Sequence, residues 1–270
     1  MNMSKLPAPL QYLLSARPIL FVRGMMGHLL ALFRSSYLRH RGAYATYEEA
    51  AAAVRSGALV GYNNDEVVMH SLEYMSELKL EDYPILFWLN RLAPETRAIL
   101  DAGGHLGTKY RAFGRHLELR GRVDWVIYDL PAIVRAGRRF LDEGKLSGPT
   151  FIDDLAKARE TDVLLASGLL QYLDVPFDAF LRKLPSLPRH LLLNKVQTRE
   201  GPTVVTLENF ECAEIPYQIR NRAEFLASLD KLGYDIVDEW SIPSLCRTIQ
   251  THPHLGRSSS RGYYARLRLV

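Results

Sequence analysis

The sequence predicts an α/β fold in which a largely parallel sheet follows a helical N-terminal region. Strands and helices alternate from Ile99 onward, whereas only helical patterns precede that residue. A short apolar strand ends in Asp101, passes through a glycine turn and leads into a helix at Thr108. Twenty-two residues after Gly107, a second apolar strand ends in Asp129. An acid at that tip is placed to bind two ribose hydroxyls, so the pattern indicates a nucleoside-binding domain.

The helical patterns divide the chain into a predicted N-terminal cap, residues 1–92, and a predicted core, residues 93–270. Thr46 has the character of a helix N-cap before an alanine-rich run. Apolar spacing predicts a second helix over Asp65–Lys79 and a third over Tyr83–Leu92. The boundary lies where this helical pattern gives way to alternating strands and helices.

Residues 1–41 contain six lysine and arginine residues and no acidic residue. The apolar run at 18–33 is interrupted by Arg23 and His28, and it is too short and too polar to span a bilayer. The favoured interpretation is a helix packed on its own domain or on a partner subunit, which suggests a homodimer. Peripheral contact of residues 1–41 with a membrane surface stays open as the alternative. No signal peptide is evident, so we expect a cytoplasmic protein.

Composition excludes several classes of protein. Of the 270 residues, 47% are hydrophobic, which is ample for a packed core. The net charge of +4 is too small to indicate nucleic acid as a partner. Cys212 and Cys246 give neither a zinc spacing nor a disulfide framework, so we expect reduced thiols and no metal.

Two nucleoside cofactors compete for the turn Asp101-Ala-Gly-Gly-His-Leu-Gly107. A dinucleotide fingerprint, G-x-G-x-x-G, would need glycine at position 102, which is alanine. A carboxylate at Asp101 would also repel a pyrophosphate. S-adenosylmethionine (SAM) instead carries a cationic amino group and a sulfonium, which suit this acid. The pattern D-x-G-G-x-x-G resembles motif I of the class I SAM-dependent methyltransferases.

The resemblance extends over roughly residues 97–270. Asp129-Leu130-Pro131 and the helix after it resemble the D-L-P segment of small-molecule O-methyltransferases, and the chain is similar to a bacterial group of methyltransferases without a known substrate. Further strands are predicted at 151–154, 162–167, 190–194, 235–240 and 262–270, an extra strand or loop at 202–207, and helices at Thr108–Leu119 and Arg222–Lys231. The resemblance implies a Rossmann-like class I sheet that is parallel with an antiparallel C-terminal hairpin.

The resemblance also implies a set of cofactor-binding residues at the ends of the strands, with S-adenosylhomocysteine as the product. Asp129 would hold the ribose, and Asp153 or Asp154 would accept a hydrogen bond from the adenine amine, with Asp153 the better fit to the register. The predicted cofactor-binding residues are Asp101, Gly103, Gly104, Gly107, Asp129, Leu130, Asp153, Asp154 and Ser167.

Catalysis is less clearly implied, because Gln171 stands where the O-methyltransferases place a general-base histidine. Glutamine cannot abstract a proton, so three interpretations stay open. His105 takes the proton, although we favour a role in closing the turn. His70 reaches in from the cap, although packing is the favoured role. In the third interpretation the acceptor needs no base, and Gln171 only positions it.

The acceptor pocket is predicted to involve Tyr62 and Asn63, in a turn ahead of motif I, together with His70 and Tyr172. Lys195, at the end of the fifth strand, is expected to be solvated. The resemblance implies methyl transfer to a small molecule or a biosynthetic intermediate. O-methylation is favoured, with N- or carboxyl methylation as alternatives.

Two other functions stay open. An NAD(P)-dependent Rossmann oxidoreductase would also use Asp129, but Ala102 and the closing strands argue against it. A SAM-binding subunit without activity that assists a partner would explain the missing base histidine. Nucleic-acid methylation is weaker, because Ala166-Ser-Gly-Leu169 stands where such enzymes carry an N-P-P-Y-type tetrad.

Overall fold

The computed structural model describes residues 16–33, 38–55, 59–60, 77–114, 116–117, 123–210 and 213–268. Tyr62, Asn63, His70 and Cys212 lie outside the described residues, as do positions 65–76 of the helix predicted at Asp65–Lys79.

The N-terminal region contains helices and also strands. Its elements are helix α1 (Arg17–Phe33), strand β1 (His40–Tyr44), helix α2 (Tyr47–Ala52), strand β2 (Leu59–Val60) and helix α3 (Tyr83–Leu92). Thr46 caps α2 as predicted, since its hydroxyl accepts a hydrogen bond from the N–H of Glu49. The expectation of an all-helical region was wrong for β1 and for β2. Pairing with a distant strand satisfies the backbone of β1, and no local pattern discloses that pairing.

Five parallel strands form the main sheet. They are β3 (Ala98–Ala102), β4 (Asp124–Tyr128), β5 (Thr150–Ile152), β6 (Val163–Ser167) and β7 (His190–Arg199), with helices α4 (Thr108–Phe113), α5 (Pro131–Asp142) and α6 (Phe177–Leu181) between them. In space the order is β5-β4-β3-β6-β7. From β3 the chain adds β4 and β5 on one side, and it then returns to add β6 and β7 on the other, so the order of strand addition reverses between β3 and β6. A ligand crevice is therefore expected at the carboxyl ends of these two strands.

Helix α4 is shorter than the predicted Thr108–Leu119. It ends at Phe113, and Gly114 is its C-cap, with its N–H donating to the carbonyl of Tyr110. Glycine costs about 1 kcal/mol in a helix interior, so the helix ends before it. Pro131, by contrast, stands at the first position of α5 as predicted, where its missing N–H is not needed.

A second group of strands extends beyond the end of β6. The hairpin β8 (Val204–Phe210) and β9 (Ala213–Asn221) carries β1 on one side and β2 on the other, and we call these four strands the extension sheet. It joins the main sheet where β9 pairs with Thr198 and Arg199 of β7. Only one extra strand or loop was predicted here, and β7 was expected to end at Asn194. The sequence did not reveal the long-range pairing between β7 and β9, which extends β7 to Arg199.

The chain closes with helix α7 (Arg222–Lys231) and strands β10 (Tyr234–Ser241) and β11 (Ser259–Leu267). Asn221 caps α7 through a hydrogen bond to the N–H of Glu224. Strand β11 lies between β7 and β10 and is antiparallel to both. This confirms the predicted antiparallel C-terminal hairpin.

Helices cover both faces of the main sheet. Neighbouring residues of β3 point to opposite faces, and Ile99 and Leu100 are both completely buried, in two separate apolar clusters. Helices α3, α4 and α5 contribute to the first cluster, and α6 and α7 contribute to the second. The carboxyl edge of the sheet is therefore the surface left for loops and ligand. Among the helices described, none has the length and apolarity to cross a membrane.

Candidate cofactor site

The glycine turn after β3 has a backbone that side chains would disturb. Gly107 has φ of 76°, in the left-handed region. A Cβ on Gly104 would lie 2.7 Å from Oδ2 of Asp101, so any side chain there would displace that carboxylate. The N–H of Gly103 donates to the carbonyl of Tyr128 across 2.8 Å and ties the turn to β4. The turn is thus held close to the end of the second parallel strand.

Asp129 follows β4 and contacts this turn directly. Its Oδ2 accepts a hydrogen bond from the N–H of His105 at 2.7 Å, and its Oδ1 accepts one from the N–H of Leu130 at 2.8 Å. Burial raises the pKa of Asp129 to about 6, although both hydrogen bonds act in the opposite direction. Each carboxylate oxygen keeps a further lone-pair direction, so two hydroxyl donors can still be accommodated.

Asp101, at the end of β3, is almost completely buried. Its Oδ2 accepts a hydrogen bond from Trp125 Nε1 at 3.2 Å. Burial raises the pKa of Asp101 to about 7, opposed by the indole N–H and by the charge of Lys109, and reinforced by Asp129. This carboxyl therefore titrates near neutral pH, and a cation placed beside it would favour the ionised form.

Lys109 and Asp82 form a buried ion pair that sequence reasoning missed. Lys109 Nζ lies 2.7 Å from Asp82 Oδ2, and the side chains are 8% and 0% exposed. Burial lowers the pKa of Lys109, and the charge of Asp82 opposes that shift. The same Asp82 oxygen accepts the N–H of Lys79. The only sequence signal was an acid just before α3, which ordinarily indicates helix capping.

Glu81 links the same segment to β7. Its carbonyl accepts a hydrogen bond from Asn194 Nδ2 at 2.9 Å, and its carboxylate lies 3.6 Å from Lys195 Nζ. Lys195 has φ of 61° and a side chain only 22% exposed, so the expectation of a solvated lysine was wrong. The ion pair with Glu81 holds it at the carboxyl edge of the sheet.

The two acids after β5 are not equally available. Asp154 caps a short turn, because its Oδ1 accepts the N–H of Ala156 at 3.0 Å. Asp153 Oδ1 lies 3.4 Å from Lys157 Nζ. Local backbone hydrogen bonding and the Lys157 charge lower the pKa of Asp153. Asp154 is thus engaged in capping the turn, whereas Asp153 is engaged by its own backbone and by Lys157.

Ser167, at the end of β6, and Gln171, just after it, have buried oxygens. Within the described part of the chain, Ser167 Oγ and Gln171 Oε1 are buried and have no hydrogen-bond partner. A Cβ on Gly168 would lie 3.8 Å from both Gln171 Nε2 and the side chain of Lys195. Gln171 and Lys195 therefore flank Gly168 beyond the end of β6, with Lys195 midway along β7, and a bound donor there would satisfy the oxygens of Ser167 and Gln171.

His105 lies inside the turn with φ of 52° and is 8% exposed. Its Nδ1 is buried without a partner, and burial lowers the pKa of the ring to about 4. The imidazole is therefore neutral and only weakly basic at neutral pH.

Tyr172 lies against the extension sheet. Its hydroxyl donates to Glu208 Oε2 at 2.7 Å, and its ring packs edge-on against Tyr217. Glu208 is 4% exposed and also lies 3.2 Å from Arg39 and 4.0 Å from the ring of His40. The extension sheet thus covers the segment after β6. Sequence reasoning missed His40 because it did not predict β1, and it missed Glu208 because the strand or loop predicted at 202–207 ended one residue before it.

The structure therefore brings the glycine turn and Asp129 into direct contact, and the segment after β6 lies beside the turn, since a Cβ on Gly103 would lie 3.1 Å from the side chain of Leu169. Tyr62, Asn63 and His70 lie outside the described residues. Among the described residues, no group of three histidine, cysteine or acidic side chains could hold a metal ion.

No family model and no curated protein matches this sequence. Solved structures do match. OxaC in complex with sinefungin and meleagrin is 15% identical with a TM-score of 0.50, and the match covers 77% of this chain and 53% of OxaC. The Burkholderia thailandensis 1,6-didemethyltoxoflavin-N1-methyltransferase, with 1,6-didemethyltoxoflavin and S-adenosylhomocysteine bound, is 16% identical with a TM-score of 0.50, and the match covers 84% of this chain and 93% of that enzyme.

The chain thus spans about half the length of OxaC and most of the length of the toxoflavin enzyme. The Burkholderia enzyme is by name a methyltransferase and holds S-adenosylhomocysteine, and OxaC holds sinefungin and meleagrin. At this identity the similarity establishes the fold. The chain has the mixed, mostly parallel class I methyltransferase sheet with its antiparallel hairpin and an N-terminal helix, as the sequence predicts.

Proposed function

We propose that this protein transfers the methyl group of SAM to a small-molecule acceptor and releases S-adenosylhomocysteine. The observation that carries the proposal is the contact between the glycine turn and Asp129 at the switch point of the sheet. The fold shared with SAM-dependent methyltransferases supports it. When bound, SAM supplies an electrophilic methyl group on a sulfonium.

The residues at the crevice fit the parts of SAM. Asp129 would accept the ribose hydroxyls, and Asp101 would favour the cationic amino group. The turn containing Gly103, Gly104 and Gly107 would allow the cofactor to approach the backbone closely. Ser167 has a buried oxygen without a partner, which a donor of the cofactor would satisfy. Leu130 is 40% exposed beside the turn and offers an apolar contact.

Asp153 would accept the exocyclic amine of adenine, since it follows the third parallel strand and Asp154 is occupied in capping. A structure of the complex tests this directly. Both carboxylates directed away from the adenine would contradict the assignment.

Catalysis would depend mainly on proximity and orientation. Gln171 presents an oxygen without a partner, which suits hydrogen bonding to an acceptor group. Burial makes His105 a weak base, so it would act as a turn residue. Tyr172 would line the acceptor pocket next to Gln171, while Glu208 fixes its hydroxyl. O-methylation is favoured, and an amine or a carboxylate is the alternative acceptor.

An NAD(P)-dependent oxidoreductase is the rival function. It would place a pyrophosphate beside the buried Asp101 carboxyl, which is electrostatically unfavourable. Thermal denaturation with SAM, S-adenosylhomocysteine and NAD in turn separates the two. A rise in melting temperature with SAM and none with NAD supports the proposal, and the reverse result overturns it.

An inactive SAM-binding subunit is the second rival. It predicts a melting-temperature rise with SAM but no turnover of any acceptor. The protein is incubated with SAM and a panel of phenols, carboxylates and amines. Mass spectrometry would then detect a product heavier than its acceptor by the mass of one CH₂. Such a product excludes the inactive subunit.

A further inference from the structure

Helix α1 has one face packed on its own domain. A Cβ on Gly27 would lie 2.2 Å from the carbonyl oxygen of Gln250, and a Cβ on Gly24 would lie 3.5 Å from the ring of Pro253. Glycine at these two positions lets the helix lie directly on the backbone of residues 250–253. This face fixes the orientation of α1 and determines which side chains point outward.

The outward face of α1 is apolar and exposed. Its six large apolar residues are Phe21, Val22, Met25, Met26, Leu29 and Leu30, with exposures from 40% to 73%. They recur as adjacent pairs every four residues and so form one stripe along the helix. These six are half of the twelve exposed large apolar residues in the described part of the chain. A concentration of this kind marks an interaction surface.

The charge on and around the stripe is positive. Arg17 and Arg23 lie on α1, which contains no acidic residue. The whole segment 1–41 has no acidic residue either. A partner for this surface must therefore combine apolar contact with negative charge. A bilayer with anionic headgroups combines both.

The geometry of α1 suits a position in the plane of a membrane. A helix of 17 residues is about 25 Å long, which is shorter than the roughly 30 Å of a bilayer core. Because its glycine face is packed on the domain, only the opposite stripe can enter the lipid. Such a helix lies at the interface with its apolar face buried.

A second copy of this chain is the other candidate occupant. Pairing two α1 helices would bring two positively charged segments together, and neither helix contains an acidic residue. The stripe has six side chains, whereas a stable interface uses about 20–30 residues a side. These features favour lipid over the homodimer suggested by the sequence.

We propose that the exposed stripe of α1 docks this protein on an anionic lipid surface. Flotation of the full chain with phosphatidylcholine vesicles, with and without phosphatidylglycerol, tests this directly. We expect binding to the anionic vesicles only, and weaker binding when added salt screens the headgroups. Absence of binding to anionic vesicles overturns the proposal, and so does equal binding to both compositions.

A matched pair of valines tests the stripe itself. Val22 on α1 is 47% exposed, and Val237 on β10 is 43% exposed. We expect Val22→Glu to reduce the vesicle partition coefficient about tenfold, through lost apolar burial and added repulsion, and Val237→Glu to change it little. Equal binding by the two variants contradicts the proposal, provided that both retain the wild-type melting temperature.

Combining Phe21→Glu with Met25→Glu gives a stronger test of the same stripe, and we expect it to abolish flotation. Sedimentation velocity without vesicles identifies the rival occupant. A wild-type dimer that Val22→Glu converts to a monomer would make the stripe a contact between copies, and would overturn lipid docking if vesicle binding were also absent.

Discussion

The N–H of His105 donates a hydrogen bond to Oδ2 of Asp129, with 2.7 Å between nitrogen and oxygen. This contact joins the glycine turn after the first parallel strand to the acid after the second. Asp129 therefore shapes the turn, and in the proposed function it also binds the ribose of SAM. Substitutions at Asp129 should be interpreted with both roles in mind.

We expect Asp129→Ala to weaken SAM binding by about 1–3 kcal/mol, because the ribose hydroxyls lose a charged acceptor. Isothermal titration calorimetry measures this loss. Asp124→Ala is the matched control, since Asp124 begins the same strand and its side chain is 73% exposed. Unchanged affinity in Asp129→Ala would remove the cofactor assignment.

The contribution of Asp101 and Asp129 to the stability of the ligand-free protein should fall as pH rises from about 4 to about 7, whereas the buried rings of His40 and His105, whose pKa values are lowered, act in the opposite direction. Burial raises the pKa of Asp101 to about 7 and that of Asp129 to about 6, from 3.8. An acid with a raised folded-state pKa contributes stability below its unfolded pKa and loses it as pH rises through the folded value. Asp101→Asn should remove the Asp101 contribution, so the stability of wild type relative to this variant should fall by on the order of 1–4 kcal/mol across this window. Urea denaturation at several pH values measures the difference from wild type, and parallel curves would contradict the prediction.

SAM affinity should change with pH in the opposite direction. Its ammonium favours the ionised form of Asp101, so affinity should rise as pH increases through about 7. Asp101→Asn should bind SAM more weakly and lose this dependence. Calorimetry from about pH 5.5 to about pH 8, a range that includes the pKa values of both acids, measures this change in affinity. A wild-type affinity that stays flat over this range would argue against contact with Asp101.

Steady-state kinetics should show that Gln171→Ala lowers turnover by about ten- to a hundredfold, with SAM affinity intact, through lost positioning of the acceptor.

His105→Ala should instead weaken SAM binding, because it alters a residue held at φ of 52°. His105→Asn should retain more affinity, since asparagine tolerates this conformation. Steady-state kinetics as a function of pH decides the role. A defect of about 10²–10⁴-fold in His105→Asn, rescued at high pH, would make His105 the general base.

Lys109→Met should destabilise the protein by about 3–5 kcal/mol, because it leaves the Asp82 carboxylate buried without its counter-ion. The double variant Lys109→Met with Asp82→Asn should recover part of the loss, since it removes the stranded charge. Chemical denaturation of the single and double variants measures the coupling. Additive losses would show that the pair has no net interaction.

The parts of the fold that the sequence predicted well depend on short-range patterns. The turn after β3, the strand tip at Asp129 and the proline that starts α5 are each defined by a few adjacent residues. Asn221 and Thr46 are caps because their side chains bond to N–H groups three residues away. Predictions failed where a strand needs a distant partner, as in β1 and β9.

The sequence by itself determined the alternating strands, the glycine turn and the acids at the strand ends, because backbone geometry and burial periodicity are local properties. Only the tertiary structure showed that Asp82 pairs with Lys109, 27 residues away, and that Glu208 receives the hydroxyl of Tyr172, 36 residues away. Those contacts arise when the collapsed chain brings separate elements together. The stabilising energy of these two contacts depends on burial and on charges that come from separate segments of the chain.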